Sequence, residues 1–234
     1  MSVHVAVTDR GREYDGVVRA GESWAAAARR TCLATTREPV PVDLSGEVKR
    51  FTIDHDLGVA LRPMTRGDLP IVARWRAAPH VARWWRSDGP PTLDGVTERY
   101  GAVIDGTTPT RMWVVEANGR SIGFVQDYRI ADYPEYALLA PHRGAVGCDY
   151  AIGESEWVGR GLGVRVLWAW MQRALRRFPD APTFFAAPDH RNEPSLRVLD
   201  KAGFERGVWF DEPEVDGSVS TVVGCSLDVG RVLA

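Results

Sequence analysis

The sequence predicts an α/β fold with a mixed, mainly antiparallel central sheet flanked by helices and preceded by an N-terminal appendage. Three observations carry this. Asn118-Gly119 separates two strand-like runs, Met112–Glu116 and Ser121–Tyr128, and Asn-Gly is the short turn that best tolerates positive φ at both central positions of a tight hairpin. Residues Gly161–Phe178 carry Val164, Leu167, Trp168, Met171, Leu175 and Phe178 at helical spacing, one apolar stripe on a long helix. Further strand-like runs then alternate with one more helix, so hairpin and strand–helix–strand connections share one chain.

The remaining elements follow in order. Val3–Val7 and Val17–Val18 read as short strands, Ser23–Cys32 as a short helix, and Pro39-Val40-Pro41-Val42 as extended linker. Residues 1–56 therefore form an N-terminal extension and 57–234 the principal domain. Thr65-Arg66-Gly67-Asp68 has capping-box spacing ahead of a helix bearing Leu69, Val72 and Trp75. After His80–Trp85 and a Pro90-Pro91 loop, Thr92 caps a helix with Val96, Tyr100 and Val103 on one face. An irregular loop from Arg129 to Val146 leads to a strand over Gly147–Gly153. A strand over Thr183–Ala187 follows the long helix. Asn192 then caps a helix with Pro194 in its first turn and Gly203 at its end. Strands over Phe204–Phe210 and Val219–Leu227 complete the chain.

Composition excludes several classes. With 234 residues, 44% hydrophobic, the chain can bury a sizeable core, and a net charge of -2 argues against nucleic-acid binding. Cys32, Cys148 and Cys225 are three widely spaced cysteines without a CxxC, which indicates neither a disulfide framework nor a zinc site. No metal is expected. The N-terminal residues lack a basic region followed by an apolar run, so the expected location is cytoplasmic, with no membrane partner, as monomer or homodimer.

The strongest chemical signal is Val158-Gly159-Arg160-Gly161-Leu162-Gly163-Val164, between a strand and the long helix. Alternating glycines turn the backbone tightly and bring bare N–H groups against a ligand, and the helix N-terminus favours an anion such as a pyrophosphate. The spacing is not that of a dinucleotide-binding turn, and no Lys-Ser/Thr pair for a nucleoside triphosphate is present. Downstream stand Asn192-Glu193-Pro194-Ser195 and Leu199-Asp200-Lys201-Ala202-Gly203-Phe204. In order and spacing these two motifs resemble the GNAT acetyltransferase superfamily. The resemblance implies acetyl-CoA as co-substrate, its pyrophosphate on residues 158–164 and its pantetheine arm beside Asn192 and Ser195. It also implies a bulged strand in which Tyr150, Ala151 or Ile152 offers a backbone N–H to the thioester oxygen.

Further motifs narrow the resemblance. His80, Trp84-Trp85, Pro91-Thr92-Leu93, Tyr100, Gly123–Tyr128, Gly147-Cys148-Asp149 and Lys201–Arg206 look like the aminoglycoside 6'-N-acetyltransferases. Ile152-Gly153-Glu154 and Ala187–Glu193 look like siderophore-pathway acyltransferases that modify a hydroxylated lysine side chain. Asp149 stands where the second group commonly has His, which favours the first. Val158 replaces a common Gln or Arg, and Leu199 replaces a Tyr that protonates the departing thiolate in many members. That replacement leaves a non-catalytic acyl-CoA-binding module as a third reading.

Acyl transfer to an amine needs a base, and Asp149 is the first candidate, with Asp189 next. The plainer reading makes Asp149 an ion-pairing acid at a strand end and Asp189 a turn residue before a helix. His80 reads more readily as a helix-end residue than as a base. Six acids (Asp127, Asp132, Glu135, Asp149, Glu154, Glu156) between Val125 and Glu156 face two arginines. They suggest either a solvated loop or an acidic wall that attracts a small cationic amine. Trp85, Tyr100, Gln126, Asp127 and Asp149 are the candidate acceptor-binding residues.

Overall fold

The structure is a computed structural model that describes residues 4–9, 12–17, 48–53, 59–85, 89–133, 143–213 and 217–232. The expected helix over Ser23–Cys32 and the linker at Pro39–Val42 lie outside these residues. The chain divides into two units, Met1–Gly58 with Asp228–Ala234, and Val59–Leu227. In the first, β1 (His4–Asp9) pairs antiparallel with β2 (Arg12–Val17) and parallel with β3 (Val48–Ile53), a strand the sequence reading did not anticipate.

The second unit is built on a seven-stranded sheet. Its strands are β4 (Val59–Pro63), β5 (Arg111–Ala117), β6 (Arg120–Arg129), β7 (Val146–Ile152), β8 (Thr183–Ala186), β9 (Glu205–Pro213) and β10 (Val219–Asp228), in the order β4-β5-β6-β7-β8-β10-β9. Strands β4 to β7 run antiparallel in succession, and β7 and β8 are parallel. Asn118 at φ 51° and Gly119 at φ 76° make the expected tight turn between β5 and β6.

The helices follow the predicted punctuation. The Thr65–Asp68 capping box precedes α1 (Leu69–Ala77). After α2 (Pro79–Ala82), the Thr92 hydroxyl accepts from the Gly95 amide at the start of α3 (Leu93–Ile104). On the other side of the sheet, α4 (Leu162–Arg177) presents Leu162, Val166, Leu167, Trp170, Met171 and Ala174 inward. Of the expected stripe, Leu167, Trp168, Met171 and Phe178 are buried, whereas Val164 and Leu175 are only half-buried. Trp170 is drawn inside because it packs on Phe184 and donates to Asp127. Asn192 caps α5 (Glu193–Ala202), and Gly203 ends it at φ 103°.

One expected acceptor contact is corrected here. Asp127 is 0% exposed and faces α4 rather than any opening. Its carboxylate accepts from Arg177 at 2.6 Å, Trp113 Nε1 at 2.7 Å and Trp170 Nε1 at 3.3 Å. The cause is strand alternation: Gln126 and Tyr128 point to one face of β6, and Asp127 must point to the other. Burial pushes its carboxyl up, and the two indole N–H groups and Arg177 pull it back down.

Asp127→Asn should lower stability by about 1.5–3 kcal/mol, the range for hydrogen bonds to a charged group. A larger loss is not expected, because Arg177 is 27% exposed and can keep part of its hydration. The urea midpoint should fall while coenzyme A affinity stays unchanged. An unchanged midpoint would contradict the structural role.

Candidate functional site

Strands β7 and β8 share only two residue pairs, Val146↔Phe184 and Gly147↔Phe185. Beyond them lies a cavity of about 880 Å³. Residues of both parities on β7, Cys148 to Ile152, line it. An intact sheet allows only alternate residues on each face, so the exposure of both sets comes from the missing neighbour strand. No bulge falls within Tyr150–Ile152, where the β6–β7 register runs unbroken from Gly123↔Ile152 to Arg129↔Val146. The irregularity comes just beyond, where the amides of Gly153 and Glu154 both donate to the Ile122 carbonyl. An unsatisfied backbone edge on β7 therefore arises from strand divergence and needs no inserted residue.

One end of the cavity is the glycine turn. Gly159 at φ 78° and Gly161 at φ 74° both occupy the left-handed region, and a Cβ on either would meet nothing within 4 Å. Val158, Gly159, Gly161, Leu162, Gly163 and Val164 all line the cavity. No acidic residue occupies the first turn of α4, so nothing there cancels the helix dipole. Gly163 has a different role from the other two. A Cβ there would come within 2.9 Å of Val198, so it lets α4 and α5 approach closely. The side chain of Arg160 departs from expectation: its guanidinium lies over the Trp157 ring, 5.6 Å from the centroid, and the residue is not part of the lining.

In the middle, Tyr150 crosses to α5, its hydroxyl 2.9 Å from Ser195 Oγ. Burial raises its pKa, so the phenol keeps its proton at neutral pH. Asn192 lines the cavity too, and its side-chain oxygen caps α5 through the Ser195 amide at 3.3 Å. Leu199 is 0% exposed in the core.

Asp149 lines the same cavity as Trp85 and Tyr100, of which Tyr100 is only 1% exposed. Its Oδ2 accepts from Gln126 Nε2 at 2.8 Å, the residue directly opposite on β6, and from the Tyr128 hydroxyl at 3.2 Å. Burial and the Asp149 charge hold the Tyr128 phenol well above its usual pKa, which keeps it a donor. A Cβ at Gly147 would come within 2.8 Å of the Tyr128 ring, so glycine there lets the ring lie across β7. Asp189 also lines the cavity, but Arg191 engages both its oxygens, at 3.0 Å and 2.7 Å, and holds its carboxyl below the usual range. His80 reaches the Ile152 carbonyl through Nε2 at 3.0 Å.

The acidic wall is not formed. Of the six acids, Asp149 alone lines the cavity among the described residues. Asp127 is buried, Glu154 pairs with Arg74 and Trp75, Glu156 pairs with Arg120, and Asp132 lies outside the lining. Glu135 lies outside the described residues. Tyr128 and Glu212 are lining residues that the sequence reading assigned no role. Tyr128 had a usable signal, since it lies two residues beyond Gln126 on a strand.

Comparison with known proteins agrees with this geometry. A family described as "Acetyltransferase (GNAT) domain" matches residues 65–211. The chain belongs to the GNAT acetyltransferase family. Among its GNAT relatives, the aminoglycoside N(6')-acetyltransferase type 1 of Klebsiella pneumoniae is 28% identical over 158 residues, covering 67% of this chain and 78% of that one. The lysine N-acyltransferase MbtK of Mycolicibacterium paratuberculosis is 28% identical over 178 residues, covering 73% and 76%. A solved structure of AAC(6')-Ib in complex with ribostamycin and coenzyme A superimposes with a TM-score of 0.63 at 26% identity, covering 73% of this chain and 93% of that chain.

Gly161→Asp is the most direct probe of the turn. Aspartate tolerates positive φ better than most residues, and open space surrounds the position, so the fold should survive. Its carboxylate would occupy the anion site. Calorimetric titration should show coenzyme A binding lost at an unchanged melting temperature; undiminished binding would reject the assignment.

Proposed function

We propose that this protein transfers the acetyl group of acetyl-CoA to a primary amine of a small acceptor, and that the acceptor is an aminoglycoside carrying a 6'-amine. The observation that carries the reading is the position of Asp149, held by Gln126 and Tyr128 on the wall of the same cavity that the glycine turn lines. The pyrophosphate would rest on the amides of residues 159–163, with the pantetheine arm along β7 past Ser195. The thioester then lies between the turn and Asp149.

In that arrangement each residue has a defined task. The acceptor nitrogen attacks the thioester carbonyl and passes its proton to Asp149, directly or through one water. A backbone N–H among Tyr150 to Ile152 stabilises the oxyanion. The C–S bond breaks, and coenzyme A leaves as thiolate. A thiol has a pKa of about 8.5, so this leaving group is acceptable without an acid at Leu199. Asp189 is the weaker base, because Arg191 already neutralises it. Trp85, half-buried on the cavity wall, offers a face on which a sugar ring stacks. Tyr100, expected to share that task, is 1% exposed and supports the wall from within the core.

A second reading, acyl transfer to a hydroxylated lysine side chain, is favoured by one observation. Arg83 and Arg99 line the same cavity, and an arginine fork suits a carboxylate.

Asp149→Asn should lower turnover by about 10² to 10⁴-fold, the usual worth of a positioned base, with little change in the Michaelis constant for acetyl-CoA. Asp189→Asn should be mild by comparison; the reverse order would transfer the role to Asp189. The acceptor is tested by thiol release from acetyl-CoA over aminoglycosides, polyamines and N-hydroxylysine compounds. Aminoglycoside turnover supports the first reading. Turnover confined to the hydroxylysine compounds would replace it with the second.

A further inference from the structure

Arg76 is a charged side chain with 1% exposure, on α1, in a region to which the chemistry above assigns nothing. Its Nη2 donates to the carbonyls of Trp85 and Gly89, each at 3.0 Å, and its Nη1 donates to the Tyr100 hydroxyl at 3.3 Å. Its guanidinium carbon also lies 5.9 Å from the centroid of the Tyr100 ring. One buried cation therefore joins three separate pieces of chain: α1, α3 through Tyr100, and both ends of the segment from Trp85 to Gly89.

Two of the partners just named, Trp85 and Tyr100, line the cavity. Trp85 is further seated against Phe124, with ring centroids 4.8 Å apart. Burying a guanidinium is costly unless its donors are met. A hydrocarbon side chain at this position would pack without that cost, yet could not fix two carbonyls and a phenol at once. The fork geometry of arginine suits this task, and a lysine ammonium, a point donor, does not.

We propose that Arg76 is a positioning residue for the acceptor. It ties the Trp85 backbone to the buried Tyr100, and so sets where the Trp85 ring stands on the wall that an acceptor passes before reaching Asp149. It does not touch the acyl donor or the reacting atoms. The proposal rests on the amine-acetyltransferase reading for its kinetic consequence, though not for its structural one.

Two variants and two readouts test it. Arg76→Lys keeps the charge and loses the fork; Tyr100→Phe removes one acceptor of the guanidinium and keeps the ring. For Arg76→Lys the Michaelis constant of the acceptor should rise by about tenfold or more, as for a lost charged hydrogen bond, with that of acetyl-CoA within about twofold of wild type by the same scale. Tyr100→Phe should shift the same constant in the same direction by less, and it carries the test if Arg76→Lys does not fold. Independently, hydrogen–deuterium exchange should accelerate in the peptide spanning residues 84–90 and stay unchanged around residues 158–166. Parallel rises for both substrates, or faster exchange spread over the whole second unit, would mean a merely structural role and overturn the proposal. Unchanged exchange in residues 84–90 would overturn it as well. If wild-type protein acetylates no amine, the functional reading fails and the exchange experiment still decides the clamp.

Discussion

The site depends on the early parting of β7 and β8. After Gly147↔Phe185 the two parallel strands no longer pair, and the chain leaving β8 is taken up by β10 instead. Val223 N donates to the Pro188 carbonyl at 2.9 Å, and His190 N donates to the Thr221 carbonyl at 3.0 Å. Pro188 has no N–H of its own to offer β7. What results is a gap inside a sheet, with a backbone edge on one side and the N-termini of α4 and α5 nearby. Buried backbone groups must find partners, so an edge of this kind is a standing invitation to a ligand with its own amides and carbonyls. The pantetheine arm of coenzyme A has both.

The same strand geometry sorts the acids. Asp127 and Asp149 belong to adjacent, paired strands, yet one is locked under α4 and the other faces the cavity. The difference is side-chain parity. Asp127 meets Arg177 and two indoles and contributes to the fold. Asp149 accepts from an amide and a phenol, donors that orient its carboxylate. Asp189 meets an arginine and is cancelled. Of these three carboxylates, Asp149 and Asp189 line the cavity and Asp127 does not.

Much of this was legible from residue types alone. Asn118-Gly119, Thr65–Asp68, Thr92, Asn192 and Gly203 act locally, and each turn or cap formed where its chemistry requires. The glycines of the turn were legible for the same reason, though Gly163 turned out to serve helix packing against Val198, a contact 35 residues away in sequence. What sequence could not reveal was parity and partnership across strands. The run of acids from Asp127 to Glu156 looked like one surface because neighbours in sequence were taken as neighbours in space; pairing with Arg177, Arg74 and Arg120 dispersed it. Arg76 gave no signal at all, since an arginine near a helix end ordinarily reaches water. The bulge expected near Tyr150–Ile152 lies just past β7, at Gly153 and Glu154, and the open edge comes from strand divergence, whose cause lies in the residues that follow β8.

The central claim is that the unpaired edge of β7 receives the acyl donor. Residue-resolved amide hydrogen exchange with and without acetyl-CoA tests it most directly. The account predicts slower exchange at the glycine turn together with slower exchange at one or more amides among residues 148–152. Protection confined to residues 158–164, with β7 unaffected, would contradict it.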